Sequence, residues 1–234
     1  MQSALVLLYG IAILTILVTP VAAQAVGQQP MNEADQNAWP AVGQISYGGP
    51  VGDAICTGTL VAPDLVLTAG HCVAVDGVVM QADRVQFAAG WRSGASRAVR
   101  HGSQIILAQP LAGQPRSLSQ DVALIVLDAP IVAAGVTPLP LLRQDLFSET
   151  YDVLAYRRDA PGTLQKTEGC ALVGTTPGLL TLGCAVVSGN SGAPVLRWRK
   201  GIWHLAGVMA ASAGVGGSIA VIPGDDLRDR IARH

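Results

Sequence analysis

From Trp39 to the C-terminus, short apolar stretches are cut apart by clusters of Gly, Pro, Asp and Ser, and this punctuation constrains the fold more than any other feature. Stretches of about four to eight residues between turn signals are the signature of an all-β sandwich or barrel. Residues 44–47 alternate and end at Gly48-Gly49-Pro50; 57–62 and 65–69 meet at Pro63-Asp64, which suits a hairpin. Residues 85–89, 104–108 and 123–127 add strands, the last closed by Asp128-Ala129-Pro130. A second set follows Pro138-Leu139-Pro140, over 151–156, 165–173, 179–187, 193–198, 203–210 and 218–222. Only the C-terminus has helical character: Asp225 or Asp226 can cap, and Leu227 and Ile231 share one face. No internal repeat or low-complexity tract interrupts this pattern.

A chain of 234 residues, half of them apolar, can bury a sizeable core as one large domain or two small ones. Charged residues make up 13% with a net charge of −1, which gives no grounds for nucleic acid or an acidic membrane surface as partner. Residues 1–25 carry no charge, and 4–18 are mostly apolar. Val21-Ala22-Ala23 and Ala23-Gln24-Ala25 both fit a small-x-small cleavage site, so 1–25 reads as a signal peptide that lacks a basic n-region. The rival is a membrane anchor, but a span needs ~20 apolar residues and Pro20 interrupts this one. The expectation is a secreted or periplasmic protein with no stable membrane association after signal removal. Residues 26–38 are polar and read as a flexible leader or short propeptide. Cys56, Cys72, Cys170 and Cys184 form an even set, which in an exported chain means two disulfides with three possible pairings. Without C-x-x-C or H-x-x-x-H spacing, no metal site is expected.

Three motifs carry chemistry. Ser191 lies in Gly189-Asn190-Ser191-Gly192-Ala193-Pro194, His71 in Leu67-Thr68-Ala69-Gly70-His71-Cys72, and Asp121 in Ser119-Gln120-Asp121-Val122-Ala123-Leu124-Ile125. A nucleophilic hydroxyl needs a base to take its proton, an acid to orient that base, and open backbone to offer N–H groups to an oxyanion. Taken singly, the first motif is an ordinary turn, the second a structural histidine and the third a cap. Together, in the order His, Asp, Ser, they match one of the known chain orders for that geometry. An α/β-hydrolase elbow is a poor rival, because position 193 is Ala and the Asp225 and His234 that follow the serine lie too close to the end to support that fold. His101, His204 and His234 lack comparable context, and Asp128 sits in a turn rather than a motif.

From about Trp39 onward these motifs resemble the trypsin-like serine proteases of the chymotrypsin fold, in the bacterial style with Gly-Asn-Ser-Gly around the nucleophile. The resemblance implies two six-stranded antiparallel β-barrels with a short C-terminal helix. Residues 39–137 would carry His71 and Asp121, and 138–234 would carry Ser191. It selects the pair Cys56–Cys72, leaving Cys170–Cys184. It assigns the oxyanion hole to the N–H groups of Gly189 and Ser191. It places Ala185 on the floor of the specificity pocket, with Ala210-Ala211-Ser212 as a wall, Met209 nearby and Gly216-Gly217 further on. No carboxylate stands there for Lys or Arg, and the wall lacks the histidine of glutamate-selective relatives, since His204 falls five residues too early. An uncharged small or medium apolar side chain is therefore expected at the cleavage site. Asn190 replaces the aspartate that, in the animal branch, pairs with a new N-terminal amine, so maturation should work differently, with neutral hydrogen bonds holding the N-terminus. The implied protein is a secreted monomeric endopeptidase acting on proteins or peptides through an acyl-enzyme, with no cofactor. The alternatives are a catalytically silent binding relative and a membrane-tethered form of the same protease.

Overall fold

The computed structural model describes residues 27–48, 56–108, 117–133, 135–142 and 147–234; the segment read as a signal, residues 1–25, lies outside them. The chain opens with β1 (Gln29–Pro30) and a one-turn helix α1 (Glu33–Gln36), whose N–H at Asp35 is capped by the Asn32 side chain. There follow β2 (Val42–Tyr47), β3 (Cys56–Ala62) and β4 (Leu65–Thr68), then a small hairpin of β5 (Ala74–Val75) and β6 (Val78–Val79). β7 (Val85–Ala89), β8 (Ala98–Leu107) and β9 (Ala123–Leu127) complete the first half. Antiparallel pairing in the order β2-β3-β4-β9-β8-β7 closes these six into a barrel, which leaves no free edge.

The second half holds β10 (Thr150–Arg157), β11 (Ala160–Thr176), β12 (Leu179–Leu182), β13 (Pro194–Arg199), β14 (Ile202–Ser212) and β15 (Ser218–Val221). Their order is β11-β10-β13-β14-β15-β12, and the long β11 pairs with β12 as well, so the six strands return on themselves. The terminal helix α2 (Asp225–Ala232) buries Leu227. Its N-cap is Gly224 rather than Asp225 or Asp226, which instead place two negative charges in the first turn, where the helix dipole favours them.

β1 adds a seventh strand to this second sheet, and here the structure departs from a flexible leader over 26–38. Gln29 and Pro30 pair with Lys166 and Gln165 of β11, and Met31 N–H donates to the Leu164 carbonyl at 3.0 Å. The Gln36 side chain then bridges, donating to Met31 O and accepting from Leu164 N–H. The polar composition that suggested a solvated leader supplies these bonds. Backbone groups paired with a sheet are ordered whatever their side chains' polarity.

β3 and β4 are buried along their whole length. β3 also packs against β10 and β13 of the second sheet, and Leu154, Tyr156, Leu196, Leu205 and Val208 belong to the same apolar cluster as Leu60, Leu67 and Ile125. A separate core inside the second ring contains Tyr151, Val153, Leu180, Leu182, Val195 and Met209. Polar ties cross the seam. Gln44 donates to the Pro161 carbonyl, Trp91 Nε1 donates to the same oxygen at 3.0 Å, and the Tyr156 hydroxyl donates to Trp91 O at 2.7 Å. Each such bond contributes about 1 kcal/mol net, but leaving one partner buried and unpaired costs more.

Burial pushes the Tyr156 phenol far above its ordinary pKa. The unfolded chain loses this proton near pH 10 and the folded chain keeps it. Stability from this group is therefore complete below about pH 10 and falls as pH rises beyond, by up to ~1.4 kcal/mol per pH unit. Chemical denaturation between pH 9 and 12 should show that decline in the wild type. Tyr156→Phe should lose about 1 kcal/mol at neutral pH, from the missing bond to Trp91 O, but show a shallower alkaline slope.

Candidate active site

Asp121 arrives next to His71 through strand register. β4 pairs with β9 so that Thr68 opposes Ala123, which sets the turn after Thr68 beside the residues before Ala123. A capping box, in which Ser117 N–H donates to Gln120 Oε1 and the Ser117 side chain accepts in return, fixes the short turn that ends at Asp121. The Asp121 carboxylate then holds His71 with both oxygens. Oδ1 accepts the His71 backbone N–H at 2.8 Å, and Oδ2 lies 2.6 Å from His71 Nδ1. Gly70 makes room for this, since a Cβ there would stand 3.0 Å from Asp121 Oδ1. The imidazole is exposed and the carboxylate largely shielded. Because the carboxylate only accepts, the shared hydrogen sits on Nδ1 and leaves Nε2 with a free lone pair.

The Ser191 turn is built on the other sheet and bolted to the barrel by Thr57 of β3. Thr57 N–H donates to Ser191 O at 2.8 Å, and its hydroxyl donates to Gly189 O at 2.9 Å while accepting Tyr156 N–H at 3.0 Å. The Thr57 carbonyl in turn accepts from Thr68 Oγ1 at 2.9 Å. The neighbouring Cys56 is disulfide-bonded to Cys72, which follows His71 directly, with Cα atoms 6.1 Å apart. Thr57 and that bridge thus tie the serine's turn and the histidine's turn to one point of the barrel. Nothing in the sequence motifs marked Thr57; its only signal was a hydroxyl within an apolar strand.

Two glycines permit the turn. Gly189 has φ of +101°, and a Cβ on it would lie 2.7 Å from Arg158 N. Gly192 has φ of +81°, and a side chain there would run into the Thr57 carbonyl and the Thr68 hydroxyl. Within the turn, the N–H groups of Asn190, Gly192 and Ala193 donate to Val187 O, Met209 O and Asn190 O. Among the described residues, the N–H groups of Gly189 and Ser191 have no acceptor, and these are the two assigned above to an oxyanion. The Ser191 hydroxyl likewise has no hydrogen-bond partner among the described residues, His71 included. Catalytic hydrogen bonds of this kind are often loose in an unliganded site and tighten around substrate.

The pocket residues divide. Ala185 and Ser212 are exposed and Gly216 is half-buried, and the pairings Leu182 with Ser218 and Ser212 with Ser218 bring the strand ends that lead to them together at one end of the second sheet. Met209 does not line an open pocket. Its side chain is buried in the second core, and its backbone anchors Gly192 and Ala193. Ala210 is buried at the end of that same run. Cys184, next to Ala185, is bonded to Cys170 with Cα atoms 5.3 Å apart. With the cysteines in disulfides, the grouping of Cys56, His71 and Cys72 offers no thiolate to a metal. Two depressions, of ≈ 550 and ≈ 710 Å³, share Trp39 and Lys166, and neither is lined by His71, Asp121 or Ser191. Among the described residues no helix is long and apolar enough to cross a membrane.

A family model described as Trypsin matches residues 29–223. Among solved structures, one of a Glu endopeptidase in complex with MPD is similar at a TM-score of 0.71 and 18% identity, covering 90% of this chain and 97% of that one. At that identity the likeness concerns the fold. No curated protein matches the chain significantly.

Proposed function

Since the chain belongs to the trypsin family of serine proteases, hydrolases that act on proteins or peptides, we propose that it is an endopeptidase using Ser191, His71 and Asp121 in an acyl-enzyme mechanism. The observation that carries this is the two-oxygen grip of Asp121 on His71, with Oδ2 at 2.6 Å from Nδ1, beside a serine turn whose Gly189 and Ser191 N–H groups have no acceptor among the described residues.

Ser191 Oγ attacks the scissile carbonyl carbon as its proton passes to His71 Nε2. The carbonyl π electrons move to oxygen, and the N–H groups of Gly189 and Ser191 bind that oxyanion. Collapse expels the amine, which takes the proton from His71, and leaves an ester on Ser191. Water, deprotonated by His71, attacks the ester and returns the free serine and a carboxylate product. Asp121 keeps the hydrogen on Nδ1 and stabilises the imidazolium. The reaction needs no cofactor.

The two disulfides are consistent with an oxidising compartment. With the uncharged, apolar start of the chain, they support export by a cleaved signal over residues 1–25. Ala185, Ser212 and Gly216 carry no charge, which supports an uncharged, small or medium apolar residue at the cleavage site.

The test is to treat the purified protein with a fluorophosphonate, map the adduct by mass spectrometry, and profile cleavage on a peptide library. A single adduct on Ser191 and a profile led by residues such as Ala, Val or Leu are expected. No adduct, or one elsewhere, overturns the mechanism. A profile dominated by Arg, Lys or Glu overturns only the preference.

A further inference from the structure

We propose that Gln28 is a positioning residue for the Ser191 turn: its carboxamide latches Asn190 through a neutral hydrogen bond that needs no charged chain terminus. The inference rests on the reading of that turn as nucleophile and oxyanion site.

Asn190 stands between the two residues whose N–H groups are free, and its side chain is buried. Three bonds hold its amide. Nδ2 donates to Tyr156 O at 2.9 Å, Oδ1 accepts Val187 N–H at 2.8 Å, and Oδ1 also accepts Gln28 Nε2 at 2.6 Å. The first two fix which end of the Asn190 amide is oxygen, so the Gln28 atom facing it must be the donor nitrogen. Tyr156 and Val187 belong to the same half of the chain as Asn190. Gln28 reaches it from 162 residues away. It can do so because β1, the next two residues, is paired to β11.

A free turn with glycines at positive φ on both sides has several conformations open to it. Oxyanion donors act only if they point at one place in space, so whatever immobilises Asn190 aims them. The contact is made by a side chain, so it forms whichever residue precedes Gln28. It carries no ionisable group, so its strength does not follow an amine's titration. Its one local cost is Gln28 Oε1, which is buried without a partner among the described residues.

The experiment uses the full chain and three proteins: wild type, Gln28→Met and Gln28→Lys. Methionine keeps the length and the buried stem but removes the donor. Lysine restores a donor to Asn190 Oδ1 and leaves the bond from Asn190 Nδ2 to Tyr156 O in place. Peptide hydrolysis and hydrogen exchange across residues 186–193 are measured together, because that segment contains the bonded amides of Val187, Asn190, Gly192 and Ala193. Gln28→Met is expected to lower kcat about 10- to 100-fold with KM within about twofold, the signature of lost transition-state aim, and to speed exchange in that segment about tenfold. Gln28→Lys should keep kcat within about fivefold of wild type near pH 7 and lose it as pH rises through the lysine pKa. Unchanged kcat in Gln28→Met overturns the proposal, with or without faster exchange. If wild type neither cleaves peptides nor takes the phosphonate while exchange still responds to Gln28→Met, the latch on the turn stands and the protease reading fails.

Discussion

Ser191→Ala is expected to lower kcat by about 10⁶-fold while leaving the fold in place. In the proposed mechanism the hydroxyl is the group that bonds to substrate, and nothing else in the turn can replace it. The structural side is equally clear. The side chain is half-exposed and its hydroxyl has no partner among the described residues, whereas the turn is held by its backbone, through Thr57 N–H to Ser191 O and Gly192 N–H to Met209 O. Removing an unpartnered oxygen should change stability by less than about 0.5 kcal/mol. A thermal melt superimposable on wild type, no phosphonate adduct and kcat at the assay floor form the expected set. Residual hydrolysis of about 10³-fold over water would come from the oxyanion donors and binding alone. Retention of more than a hundredth of wild-type activity would remove Ser191 from the mechanism.

How far the residues announced this arrangement depends on where each one's partners lie in the chain. β7 and β9 coincide with the expected 85–89 and 123–127, because turn residues bound both ends of each. β8 begins at Ala98 rather than 104, since Arg100 and His101 are polar yet pair with Phe87 and Gln86 of β7. Backbone pairing set that boundary, and no side-chain pattern records it. The expected strand over 179–187 ends at Leu182, although Gly183 N–H still donates to Ala171 O of β11 at 2.8 Å. The contact between Asp121 and His71 was legible because each sits in a motif with local constraints. Thr57 and Gln28 were not, because a threonine in a strand and a glutamine near the start acquire meaning only from groups more than a hundred residues away. The notion of neutral hydrogen bonds near Asn190 came from the chemistry of an amide, but which residue supplies them required the fold. Met209 shows the opposite error. Its position along β14 was anticipated beside a pocket, and burial of its side chain makes it a core residue instead.

Asp121→Asn should cost about 10⁴-fold in kcat with KM nearly unchanged, and the reason is a hydrogen. The carboxylate presents two acceptors to two donors, His71 backbone N–H on Oδ1 and Nδ1–H on Oδ2. An amide has one acceptor and one donor. If its oxygen stays on the backbone N–H, its nitrogen faces Nδ1, which must then accept, and the ring hydrogen moves to Nε2. That nitrogen can no longer take a proton from Ser191. If the amide flips to serve Nδ1, it sets its own N–H groups against the His71 backbone N–H, and the turn from Gly70 to Cys72 loses the bond that seats it. The first arrangement preserves the fold, so the enzyme should melt within a few degrees of wild type and bind substrate normally while turning over poorly. Gly70→Ala offers an independent approach to the same atoms, since its methyl would press on Asp121 Oδ1. It should lower kcat in the same sense but by less. Should Asp121→Asn retain more than about a tenth of wild-type kcat, the orienting acid must be sought elsewhere. Asp128 is then the next carboxylate along the chain to mutate.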